Sequence, residues 1–153
     1  MSNIRMENMG RIGPVGIEHL YRDLDTPLAV ELLINRDYPE LRGQHWAISW
    51  TVGGRSPSHQ VQRILHIVTE IGCAHYTNWG PATRSFDPRA LAAVPIAQLA
   101  LAQRRVLEAI AARTEVCMPN GEWNCQDWVL AGAVEAGVLS AEERDAALHL
   151  AQS

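Results

Sequence analysis

Cys125 and His45 are the residues of this chain whose types and positions could do chemistry together. Cys125 follows Asn124 in the string NCQDWV, and Asn124 is a good N-cap for a helix running from Cys125 to Ala136 and stopping at Gly137. A sulfur at the start of a helix sits among backbone N–H groups that have no intrahelical partner, which favours thiolate over thiol. The same N–H groups could stabilise the oxyanion of a tetrahedral intermediate. A thiol nucleophile needs a base, and His45 opens HWAISWTV, residues 45–52, the clearest strand signal in the chain. Period 2 puts His45, Ala47 and Ser49 on one face and Trp46, Ile48 and Trp50 on the other, the Trp face being the expected core. An imidazole at position 45 can take the thiol proton and return it to a leaving group. A third group usually orients such an imidazole by accepting its other N–H, and His59 and His66 on the following segment are both candidates.

The elements that must position these groups divide the chain in two. The first half reads as β-rich. Val15–Tyr21 alternates as a strand would, Leu28–Ile34 is a short apolar run of either type, and Gly53-Gly54 signals a turn after the His45 strand. In residues 56–72, Val61, Ile64, Leu65 and Val68 fit a helix, but Val and Ile richness after a Gly-Gly turn favours the second arm of a hairpin. Residues 73–86 read as a short strand followed by a loop. The second half reads as helical. Asp87-Pro88 make a cap and first-position pair, with Pro95 interrupting, and Ile96, Leu99, Gln103, Val106, Leu107 and Ile110 mark one face of a helix to about Arg113. Arg104, Arg105 and Glu108 fall largely off that face. Pro119-Asn120-Gly121 is a turn, and Ser140 with Glu143 forms a capping box for a last helix through His149.

HWAISW before a Gly-Gly turn, a β-rich stretch containing ILHIV, and NCQDWV at a later helix start together resemble the lecithin:retinol acyltransferase-like branch of the NlpC superfamily of thiol enzymes. That group is permuted relative to papain, so its histidine precedes its cysteine. His45 and Cys125 are 80 residues apart, similar to the family's spacing. The resemblance covers about 45–129. It implies a permuted papain-like fold, Cys125 as nucleophile, His45 as base and His66 of ILHIV as the orienting residue, with His59 the alternative. The chain is also similar to fungal proteins with an N-H-W motif and a late C-x-x-W-[VI] helix. It departs from the membrane-acting acyltransferases in ending on AEERDAALHLAQS, an amphipathic segment rather than an apolar anchor, and in carrying Asp127 where those enzymes have a histidine.

Composition bounds what else the chain could be. Its 153 residues, 47% hydrophobic and 20% charged, fit one globular domain over 1–153, with 1–12 expected to be flexible. A formal charge of −4 and the lack of a basic stripe argue against nucleic acid. No run approaches the roughly 18 apolar residues of a membrane span, and Met1–Gly10 does not read as a secretory signal, so a cytoplasmic protein without a membrane anchor is expected. Three cysteines are too few for a disulfide scaffold, and the spacing of Cys and His does not suggest zinc, so no metal or cofactor is expected. Cys73 and Cys117 read as packing residues.

The expectation is therefore an α+β domain in which an antiparallel sheet packs against C-terminal helices and Cys125, facing a cleft, meets His45. The activity expected is thioester-forming acyl transfer or amide or ester hydrolysis on a small molecule or peptide, with Trp46, Trp123 and Asn124 contacting substrate. The alternatives are a noncatalytic ligand-binding module and a cofactor-free biosynthetic enzyme using His45 as acid and base.

Overall fold

The computed structural model describes residues 16–35, 45–56, 58–69, 76–78, 80–86, 92–116, 125–135, 137 and 140–152. The elements in chain order are β1 (Leu28–Asn35), β2 (His45–Ser56), β3 (His59–Leu65), β4 (Val68–Thr69), β5 (Tyr76–Thr77), β6 (Ala82–Phe86), β7 (Ala92–Leu99), α1 (Leu101–Arg113), α2 (Cys125–Glu135) and α3 (Ala141–Gln152). Among the described residues, five strands form an antiparallel sheet in the order β6-β3-β2-β1-β7, and β4 pairs with β5 separately. The chain is thus α+β, with an antiparallel sheet and helices concentrated at its C-terminal end. No described helix is long and apolar enough to cross a membrane.

Strand alternation builds two layers of different size. Val30, Leu32 and Ile34 of β1, Trp46, Ile48, Trp50 and Val52 of β2, and Val61 and Leu65 of β3 point to one side. There they join Leu107 and Ala111 of α1 and Cys125, Trp128, Val129 and Ala133 of α2 in the main core. The other side carries a smaller cluster, Leu33, Ala47 and Ile64 with Ala82 packed against it. The Trp face of β2 is therefore core, as its composition suggests. The His45 face is buried as well at Ala47 and Ser49.

Four expectations are corrected. Residues 18–21 form a turn rather than a strand: Ile17 O accepts from the N–H of both Leu20 and Tyr21. Ile17 and Tyr21, four apart, pack on the main core, a helical spacing that the apparent alternation concealed. Gly53-Gly54 does not end the His45 strand, which runs on to Ser56. Each glycine instead lies at a register shift against β3. A Cβ on Gly53 would come within 2.7 Å of Tyr21 Cδ1, and Gly54, at φ 143°, would bring one within 2.7 Å of His59 O.

The third correction concerns the helix expected from Ile96. Ala92–Leu99 is a strand, and Pro95 is tolerated because β7 is an edge strand at a register shift opposite Val30 and Glu31, where its missing N–H costs no central ladder bond. The helix begins only at Leu101, where the Gln103 side chain accepts from the Ala100 N–H. This later start rotates the buried face, the fourth correction. Arg104 is 0% exposed and Val106 is 56% exposed, the reverse of expectation.

Arg104 is buried because each of its polar atoms finds a partner. Its guanidinium holds Asp23 through two bonds, Nη2 to Oδ1 at 2.9 Å and Nε to Oδ2 at 3.3 Å. It also donates to the carbonyls of Leu24, Thr26 and Leu99, and Trp50 Nε1 donates to Asp23 Oδ2. One side chain thereby ties the segment before β1, the end of β7 and α1 to the sheet. A second link, Arg63 Nε to Glu108 Oε1 at 2.7 Å, joins β3 to α1. Trp128 Nε1 donates to Thr114 O at 3.2 Å, which fastens α2 beside the end of α1.

The C-terminal expectations fare better. α2 begins at Cys125, and Gly137 just beyond its end takes φ 69°, the left-handed conformation of a helix stop. Ser140 and Glu143 make both bonds of the capping box, at 3.0 and 3.2 Å. Residues 1–12, Cys73, His75, Asp87, Pro88, Cys117, the 119–121 turn, Trp123 and Asn124 lie outside the described residues.

Candidate active site

β2 and β3 are adjacent antiparallel strands, with Ile48 facing Leu65. That register brings the start of β2 to the end of β3, so His45 and His66 meet across the strand pair: His45 Nε2 and His66 Nδ1 are 3.1 Å apart, with rings edge to face. The structure thus brings His66, and not His59, to His45. His59 is exposed at the opposite end of the hairpin, across from Ser56.

Both imidazoles are enclosed, and both pKa values fall for that reason first. Burial lowers His45, with the nearby Arg84 guanidinium adding to the effect. Burial, then His45, then Arg84 push His66 down to about 3. His66 is therefore neutral near pH 7 and can hold a proton on one nitrogen while Nδ1 accepts. When His45 gains a proton its Nε2–H can donate to that Nδ1. With Nε2 so engaged, Nδ1 is the His45 nitrogen available to exchange a proton with a reacting group.

Further along the same face of the sheet, Ser49 Oγ donates to Gln62 Oε1 at 2.7 Å, and both residues are buried. Gln62 Nε2 has no hydrogen-bond acceptor among the described residues. Arg84 of β6 stands directly across from Gln62. Alternation from Ala82, which packs with Ala47 and Ile64, puts Arg84 on the face of the histidine pair. Sequence reasoning missed Arg84, Ser49 and Gln62. The alternation of ATRSF, residues 82–86, would have put Arg84 on one face with Ala82, but only strand order shows that this face is the histidines'.

Cys125 is the first residue of α2, which packs against β2. It is a thiol, 5% exposed, within the main core layer that also contains Trp46. The side chain is thus more enclosed than the open cleft expected. Trp46, expected to contact substrate, is 2% exposed in that core because alternation turns it toward the helices, and its Nε1 has no acceptor among the described residues. By the same alternation His45 leaves β2 on the other side. Nucleophile and base candidates are therefore borne by packed neighbouring elements, the first residue of each, with Trp46 in the layer of one and next in sequence to the other.

This arrangement can take up and return a proton at His45 while His66 stays neutral beside it. Comparison of the chain with protein-family models, with curated proteins and with solved structures returns no match.

Proposed function

We propose that the protein is a thiol enzyme of permuted papain-like type that carries out acyl transfer, or amide or ester hydrolysis, through a thioester on Cys125. The observation that supports this most is the 3.1 Å contact between His45 Nε2 and His66 Nδ1. Two histidines 21 residues apart, the ones that the resemblance makes base and orienting residue, meet through ring nitrogens that suit those roles. The start of α2 at Cys125 and its packing on β2 support it further.

In this reading His45 Nδ1 takes the Cys125 proton as sulfur attacks the acyl carbon, and backbone N–H groups at the start of α2 receive the developing oxyanion. Collapse breaks the bond to the leaving group, which takes the proton from His45. Water or an amine then attacks the thioester, giving its proton to His45 and returning the thiol. His66 stabilises the His45 imidazolium as a neutral acceptor, with less charge stabilisation than a carboxylate would give.

A second reading has a specific observation behind it. Cys125 is enclosed in the helix-side layer, whereas alternation turns the histidine pair to the other face of the sheet. The pair would then act as acid and base, or line a binding surface, without the thiol. Iodoacetamide labelling at about pH 6, where ordinary thiols are almost wholly protonated, separates the two. The thiol-enzyme reading expects Cys125 to react before Cys73 and Cys117 and His45→Ala to slow that reaction. Labelling of Cys73 or Cys117 first, or a Cys125 rate indifferent to His45, would favour the second reading.

A further inference from the structure

The face of the sheet that carries the histidine pair has hydrogen-bond donors without matching acceptors among the described residues. Arg63, Arg104, Arg113 and Arg144 each meet a carboxylate. Arg84, like the exposed Arg22 and Arg105, meets none among the described residues. Its side chain is exposed enough to be reached, yet enclosed enough that burial lowers its pKa. Glu31 is the described carboxylate that alternation puts on this face, and it lies on β1, three strands from Arg84 at about 4.8 Å per strand. Directly across from Arg84, the 1% exposed Gln62 spends its oxygen on Ser49 and leaves Nε2 without an acceptor among the described residues. Buried donors are ordinarily satisfied, and a partly enclosed guanidinium ordinarily has an anion.

We propose that Arg84, at the facing position to Gln62, holds the carboxylate of a monoanionic substrate beside the His45–His66 pair. This rests on the histidine pair being the reacting site. The planar fork of a guanidinium matches a carboxylate through two parallel bonds, and it carries one positive charge. The two imidazoles add none near pH 7, because burial and Arg84 itself keep them neutral. A carboxylate therefore neutralises the site, while a phosphate dianion would leave net negative charge in it. The substrate class is then an amide or ester with a free carboxylate near the bond that reacts, rather than a neutral lipid ester.

Acetate, acetamide and inorganic phosphate can be titrated at pH 7 and constant ionic strength into the full chain, following the imidazole Cε1–H NMR signals of His45 and His66. Acetate should move both signals saturably, acetamide should not, and phosphate should bind more weakly than acetate. Arg84→Gln should weaken acetate binding about tenfold or more, with circular dichroism unchanged. Cys125→Ala should bind acetate like the parent, so loss of the thiol reading would leave this result standing. Acetate shifts that persist in Arg84→Gln, that never saturate, or that acetamide reproduces would overturn the proposal, as would tighter binding of phosphate.

Discussion

His45 and His66 share one hydrogen bond, Nε2 to Nδ1 at 3.1 Å, between the start of β2 and the residue just past β3. Since His66 is held neutral, this contact gives His45 a fixed ring orientation and one committed nitrogen. Removing the acceptor should matter more than removing any other histidine apart from His45 itself. If the pair is the reacting site, His66→Ala should lower turnover by roughly 10- to 100-fold, while His59→Ala leaves it near the parent value. Steady-state assays of the two variants against one ester substrate would check this, and equal rates in both would remove His66 from the mechanism.

The pair also sets a pH dependence of stability. His66 titrates at 6.5 when unfolded and at about 3 when folded, so between those values the unfolded chain binds more protons. The stability its neutral form allows is fully present above pH 6.5 and is lost as pH falls toward 3. His45 contributes in the same direction. Urea midpoints at descending pH should fall across this window, and more gently in His66→Gln. A variant whose midpoint tracks the parent at every pH would show that these imidazoles do not titrate as a buried pair.

Arg104 is a polar residue on which packing depends. Truncation to Ala would take the guanidinium away from the Asp23 carboxylate and from three backbone carbonyls, those of Leu24, Thr26 and Leu99. Breaking a buried pair from one side costs about 3–5 kcal/mol. Arg104→Lys should recover only part of that, because an ammonium cannot reproduce the five-donor fork. Chemical denaturation of both variants is the measurement, with Ala the less stable.

Gly54 is required by conformation, since φ 143° is a region for glycine and a Cβ would meet His59 O at 2.7 Å. Gly54→Ala should cost about 1–3 kcal/mol from backbone strain alone. Thermal unfolding should show a lower midpoint for it than for an Ala substitution at the exposed Thr51 of the same strand. No difference between the two would mean that the register shift between β2 and β3 relaxes freely.

By itself the sequence determined the local features. The aromatic, β-branched string at 45–52 is a strand with its Trp face inward, a second hairpin arm follows it and ends within ILHIV at Leu65, and a helix starts at Cys125 and stops at Gly137. The Ser140–Glu143 box forms as read. Each depends on neighbours within a few residues, where period, cap and turn chemistry act directly. Tertiary structure decided the rest. Pro95 sits in a strand because β7 is at an edge, and Arg104 turns inward because Asp23, from 81 residues away, is there to receive it. His66 rather than His59 reaches His45 because the β2–β3 register puts the two ends of the hairpin far apart. Arg84 joins that pair only because β6 lies against β3, an order fixed by which apolar faces can be buried together and not by any spacing along the chain.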